Sequence, residues 1–237
     1  VPILFRRGLR NGKHRHGGID LGRKAALFDM DRTLVRIDTA TLYVRYQRAK
    51  GEATWRDTTR VAWWMFQYTL GVIDAESVAK QALMSFRGKE EVWLQKTCEE
   101  WFLEYVRPHV ADAGRRAVER HRSAGDVLAI VTGATPYAAG PLARELAIDH
   151  VVATRLEIDE GRFTGRVAPP MGFGKGKIML AEKLAAEQGF ALDEATFYSD
   201  SITDLPLLER VKTPIIVNPD RRLRSVARSR GWRIEQW

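Results

Sequence analysis

The chain has 237 residues, 45% of them hydrophobic and 29% charged, with 38 Lys and Arg against 30 Asp and Glu, five His and one Cys. So many large apolar side chains beside an ordinary charged fraction exclude intrinsic disorder, and the length supports a hydrophobic core without staples. The lone Cys98 excludes an intramolecular disulfide and a cysteine-based zinc site, fits a reducing, cytoplasmic compartment, and reads as a buried helix residue in the run 93–106.

A net charge of +8 invites a polyanionic partner, but its distribution argues otherwise. Residues 1–24 carry seven Lys/Arg and one Asp, and residues 220–237 six Arg and two acids, so the two ends hold +10 and the body 25–219 holds −2. The protein reads as a slightly acidic body with basic ends, and no nucleic-acid partner is expected. Residues 1–23 form a basic, flexible segment without the apolar core of an export signal. The longest apolar stretch, 61–73, is too short for a bilayer of roughly 30 Å, so no transmembrane segment is expected; it reads as a buried or interfacial helix, with Trp63, Trp64, Met65 and Phe66 more often core than lipid contact.

In chain order, the apolar run 24–28 ends at Asp29, as a buried parallel strand does. From Thr39 to about Val106 apolar residues recur every three or four positions, and five of the seven Trp fall there, which predicts a helical segment left at Arg107-Pro108. A helix over 111–124 closed by Gly125, a strand over 127–131, a helix starting at Pro141 and a strand over 150–153 come next. Strands 155–158 and 162–167 flank Asp159-Glu160-Gly161, a hairpin signal. A helix over 176–188 and strands over 196–198 and 214–217 complete the series. Strands separated by helices define an α/β fold with a doubly wound parallel sheet and a ligand at the carboxyl ends of its strands.

Four polar clusters stand at those ends: Asp29-Met30-Asp31-Arg32-Thr33, Thr132-Gly133, Gly174-Lys175-Gly176-Lys177, and Asp200 to Asp204. Carboxylates gathered at one site raise one another's pKa unless a cation holds them, and oxygen ligands point to Mg²⁺. Backbone N–H groups after Asp29, a Thr hydroxyl and a Lys ammonium would supply donors for phosphate oxygens. Lys175 competes with Lys177 for the last role; the order Gly-x-Gly-Lys favours Lys177. Asp38, just before Thr39, is either a specificity residue or the N-terminal cap of a helix. His109, His121 and His150 lack metal-ligand spacing.

Asp29-Met30-Asp31-Arg32-Thr33-Leu34 resembles the first motif of the haloacid-dehalogenase-like phosphohydrolases, and the other clusters resemble its second to fourth motifs in order, from residue 24 to about 235. A helical insertion directly after the first motif is similar to the cap of the phosphoserine-phosphatase-like branch. Tyr198 to Leu208, Val217-Asn218-Pro219-Asp220 and Arg230-Gly231-Trp232 look like the bacterial subfamily IB hydrolases. The resemblance implies a Rossmann-like core at 24–36 and 109–237 with a helical cap at 37–108.

It implies Asp29 as nucleophile, Asp31 as general acid and base, and a Mg²⁺ cofactor on the Asp29 and Asp200 carboxylates and the Asp31 carbonyl. Asp204 would hold a metal-bound water or orient Lys177, while Thr132, Gly133 and Lys177 would bind the transferring phosphoryl group. The implied partner is a small-molecule phosphate ester. Arg32 stands where Gly is common, Thr203 where phosphoserine phosphatases often carry Asn, and Asp38 where they carry a Glu that receives the substrate amine. An amine-bearing substrate such as phosphoserine or histidinol phosphate is compatible with an acid at 38. A phosphotransferase using the same aspartyl phosphate is the nearest alternative, and a nucleic-acid or anionic-membrane binder using the basic ends a more distant one.

Overall fold

The computed structural model describes residues 22–51 and 75–237. The expectations for the basic N-terminal segment and the apolar stretch 61–73 with its Trp pair lie outside the described residues. β1 (Ala25–Phe28) is wholly buried. Helices α1 (Thr39–Ala49), α2 (Ala75–Met84) and α3 (Glu91–Trp101) come after it. The chain leaves α3 through a π-helical turn at Phe102–Val106 and a 3₁₀ turn at Arg107–His109, where Pro108 ends the helical run.

Alternation then sets in with α4 (Asp112–Ser123), β2 (Val127–Val131), α5 (Pro136–Glu145) and β3 (His150–Val152). The hairpin strands β4 (Arg155–Asp159) and β5 (Arg162–Ala168) precede α6 (Gly174–Gln188) and β6 (Thr196–Ser199). The chain ends in α7 (Leu205–Leu208), β7 (Thr213–Val217), α8 (Arg221–Ser229) and β8 (Arg233–Glu235).

Six strands form one parallel sheet in the order β3-β2-β1-β6-β7-β8. The winding reverses at β1, so the carboxyl ends of β1 and its neighbours flank the crevice where ligands collect in such sheets. Period-two alternation divides the strands between two cores. Ala26, Phe28, Leu128, Ile130 and Tyr198 pack with Val118 of α4 and Leu142 of α5 on one face. Leu27, Ala129, Val131 and Phe197 pack with Leu184 of α6, Leu208 of α7 and Leu223 of α8 on the other. Leu42 of α1 and Trp101 of α3 join the first core, so part of the helical insertion is anchored on the sheet layer.

The hairpin turns on Glu160 and Gly161, whose φ values of 46° and 76° suit a two-residue hairpin loop. It forms its own two-stranded sheet. Leu156 and Phe163 pack with Leu83, Leu94 and Cys98 of the helical segment, and Gly88 N–H donates to the Phe163 carbonyl at 2.8 Å. The hairpin therefore sits with the helices inserted after β1, although it is encoded among the core strands.

Two expectations change. The helix expected to start at Pro141 starts at Pro136, with Thr135 as cap and Pro141 inside it. Pro136 takes the first helical position, where a missing N–H costs nothing. The helical run is also interrupted, with Gly88 at φ 79° between α2 and α3. Among the described residues no helix is long and apolar enough to cross a membrane.

Candidate active site

β1 delivers Asp29 directly. Its N–H donates to the Tyr198 carbonyl at 2.9 Å, extending the β1–β6 ladder to the last residue before the chain turns away. The turn is tight: Val35 N–H reaches the Met30 carbonyl at 2.9 Å, and Arg32 takes a left-handed φ of 53°. Asp31, half-buried, accepts the Thr39 N–H at 2.6 Å, so the entry to α1 holds its carboxylate.

On the neighbouring strand, β2 is followed directly by Thr132, which is 1% exposed and whose Oγ1 accepts the Ala134 N–H at 3.1 Å. Gly133 is crowded: a Cβ there would lie 2.4 Å from the Phe173 ring, which would have to shift to admit it. α6 begins immediately after Phe173, so the Thr132-Gly133 turn and the first turn of α6 face each other through that ring.

Lys177 stands in the first turn of α6, only 3% exposed. Its Nζ donates to Asp29 Oδ1 at 2.9 Å and to Asp204 Oδ2 at 2.8 Å. Lys175 is exposed, so the structure brings Lys177 and not Lys175 to Asp29. Asp204 also accepts the Ser199 hydroxyl at 2.7 Å, so its carboxylate orients the lysine. Asp200, 6% exposed, comes directly after β6.

The acids outnumber the cation, and the electrostatics show it. Burial pushes Asp29 up to about 7; Lys177 opposes the rise, while Asp204 and Asp31 add to it. Asp200 is pushed up to about 8 by burial, then by the charges of Asp29 and Asp204, with Arg32 opposing. Burial and the charge of Asp38 raise Asp31 to about 6 against the Thr39 N–H. Burial alone would lower the Lys177 pKa, but Asp204 and Asp29 outweigh it and hold the ammonium charged.

This surplus of buried oxygen charge is what a hard divalent cation would offset. Among the described residues no three acidic, His or Cys side chains enclose a metal position. Mg²⁺ suits such a sparse donor set, because it keeps several waters and takes one or two carboxylates. The residues fit the ion: Asp29 and Asp200 would offer carboxylates and Asp31 its carbonyl.

The structure thus gathers Asp29, Lys177 and Asp204 in direct contact and places Thr132-Gly133, Asp31 and Asp200 at neighbouring strand ends. Asp38 caps α1, its Oδ1 accepting the Thr41 N–H at 2.9 Å. Its charge is nonetheless felt at Asp31. Sequence reasoning misses Ser199, which a polar residue closing an apolar strand could have signalled, and Phe173, whose role depends on a glycine distant in sequence. His121 is satisfied structurally, bonding Asp126 at 2.6 Å and the Tyr198 hydroxyl at 2.9 Å.

A doubly wound sheet with paired acids after a central strand and a lysine aimed at the first acid is an arrangement for chemistry on an oxyanion held at the strand ends. Residues 26–209 match the family model of the haloacid dehalogenase-like hydrolases. The chain is 35% identical over 231 residues to a phosphoserine phosphatase of Mycobacterium tuberculosis, covering 95% of this chain and 74% of that one. It is 30% identical over 217 residues to a histidinol-phosphatase of Neisseria meningitidis, covering 90% and 98%. A solved protein of unknown function from Bordetella pertussis shares the fold with a TM-score of 0.83 at 34% identity, covering 90% and 97%. The chain belongs to the haloacid dehalogenase-like hydrolases, in their phosphoserine-phosphatase-like branch.

Proposed function

We propose that the protein hydrolyses a small phosphate monoester through an aspartyl phosphate on Asp29, with Mg²⁺ as cofactor. The observation that carries this reading is the buried contact of Lys177 with Asp29 and Asp204 beside the Thr132-Gly133 turn. An ammonium fixed against the nucleophilic carboxylate stands where phosphate charge has to be met. Asp29 attacks phosphorus, the ester P–O bond breaks, and Asp31 gives its proton to the departing alkoxide. Asp31 then takes a proton from water, whose oxygen attacks phosphorus and releases Asp29 and inorganic phosphate.

An acid lifted to about 6 is suited to both proton transfers near neutrality. Mg²⁺, held by Asp29, Asp200 and the Asp31 carbonyl, would neutralise charge on the phosphoryl oxygens. Thr132, Gly133 and Lys177 bind those oxygens. The α1–α3 segment acts as a cap that excludes bulk water and selects the leaving group. The names of two relatives and the acid at Asp38 support an amine-bearing ester such as phosphoserine or histidinol phosphate.

The test is turnover of p-nitrophenyl phosphate, then of a phosphate-ester panel, by wild type and Asp29→Asn. Loss of turnover in a folded Asp29→Asn protein is expected; undiminished turnover overturns the mechanism. Product analysis with an added alcohol acceptor separates hydrolysis from phosphotransfer.

A further inference from the structure

The loop after β7, Asn218-Pro219-Asp220, bonds none of the carboxylates assigned a chemical role, nor Lys177, yet it grips the backbone of both loops that carry the acids. Asn218 has a left-handed φ of 43°, which Asn tolerates better than most residues. Its Nδ2 donates to the Arg32 carbonyl at 3.2 Å and to the Trp237 carbonyl at 3.4 Å, while its Oδ1 accepts the Trp237 N–H at 2.9 Å. Trp237 is itself seated, its ring 5.3 Å from that of Tyr198 and against Gly114. On the other side, Asp220 N–H donates to the Asp200 carbonyl at 2.9 Å, and Asp220 Oδ2 accepts the Ile202 N–H at 2.7 Å. Asp220 Oδ1 caps α8 through the Leu223 N–H at 2.8 Å, which fixes the carboxylate while it holds the Asp200 loop.

The β1–β6 ladder reaches Asp29 and then the two chains part, so strand pairing no longer sets the position of residues 30–33. Arg32 holds a backbone conformation unfavourable for a residue with a side chain, and Asn218 bonds the carbonyl of that same residue. A clasp anchored on β7 and α8 can thus keep the first-motif loop and the Asp200 loop in one mutual placement. We propose that Asn218 and Asp220 are positioning residues that fix the Asp29–Asp31 and Asp200 loops relative to each other and thereby set the affinity for Mg²⁺. The inference rests on the proposed Mg²⁺ site and adds to it the residues that tune that site without touching the ion.

Two variants keep the local fold. Asn218→Gly removes the side-chain bonds and suits the left-handed backbone better than Asn does. Asp220→Ser keeps a helix cap but is too short to keep the full grip on the Asp200 loop. Each is compared with wild type and Asp200→Asn by calorimetric Mg²⁺ titration, by melting in EDTA, and by the Mg²⁺ dependence of p-nitrophenyl phosphate turnover. We expect the Mg²⁺ Kd of both to rise about tenfold or more, as typical for residues that orient metal ligands. Half-saturating Mg²⁺ should rise in step, and kcat at saturating Mg²⁺ should recover towards wild type. Altered melting with a Kd within about twofold of wild type overturns the clasp, since affinity should move well beyond that. Wild type that takes up no Mg²⁺, or Asp200→Asn that binds it as wild type does, overturns the Mg²⁺ reading itself.

Discussion

Lys177→Met tests the electrostatic core of the site. The substitution keeps a long side chain but removes the ammonium that contacts Asp29 at 2.9 Å and Asp204 at 2.7 Å, with the lysine side chain 4% exposed and the Asp204 side chain equally so. Breaking a buried pair by removing one partner costs about 3–5 kcal/mol, because the other charge stays buried without compensation. In a chain of this size that is a fall of roughly 10 °C in Tm, at ~2–4 °C per kcal/mol.

The cost must depend on pH. Without Lys177, Asp29, already raised to about 7 against the pull of that lysine, titrates higher still, so acidification neutralises it and removes part of the penalty. Melting in EDTA at pH 5 and pH 8 should show a large loss at pH 8 and a smaller one at pH 5. Added Mg²⁺ should recover part of the pH 8 loss, while turnover stays down by about 10²-fold or more, as for other lost transition-state donors. Equal destabilisation at both pH values would refute the reasoning, because a packing defect does not titrate.

The wild-type protein in EDTA should lose stability as pH rises from about 4 towards 8. Asp29 and Asp200 have folded pKa values raised to about 7 and about 8, so their protonated forms favour folding at low pH and their ionisation penalises it through that window. Denaturant melts across pH check this, and saturating Mg²⁺ should flatten the trend. Asp38→Ala should cost about 1 kcal/mol through the lost α1 cap. It should also shift the basic limb of the kcat profile to lower pH, since the Asp38 charge helps raise Asp31; an unmoved limb excludes that coupling. Gly133→Ala should destabilise by about 1–3 kcal/mol, the usual cost of overpacking. Phe173→Ala in the same chain should relieve part of it, as measured by a double-mutant cycle, because the Phe173 ring is what the new Cβ meets.

The core strands and the acid-bearing turns are readable in the sequence because their signals are local. A run of four or five apolar residues ending at Asp29 or Thr132 encodes both a buried strand and the polar group at its mouth. The hairpin is readable for the same reason, since Glu160-Gly161 is a two-residue signal. Failures come where a local signal has two uses. Proline marks the first turn of a helix, and Pro136 does so here; Pro141, five residues on, carries the same signal yet lies inside that helix. The pattern of α8 is hidden because its only buried residues, Leu223 and Ala227, are outnumbered by arginines. The contacts of Lys177, of Phe173 with Gly133 and of Asn218 with Arg32 join residues far apart in sequence, and only the assembled sheet brings them together.

The distribution of charge has its origin in the same architecture. Leu223 and Ala227, four residues apart, turn one face of α8 into the core, and the exposed Arg221, Arg222 and Arg228 fall on the rest of the helix. Positive charge there is cheap because it is solvated. At the strand ends the position is reversed: Asp29, Asp200 and Asp204 are buried with Lys177 bonded to two of them, and three acids of the site are pushed towards or past neutrality. A fold that placed its surplus of arginines beside these acids would settle them as permanent ion pairs and leave little demand for an added cation. Keeping Arg221, Arg222 and Arg228 of α8 exposed preserves that demand, so a chain with net charge +8 can still gather a surplus of buried carboxyls at its strand ends.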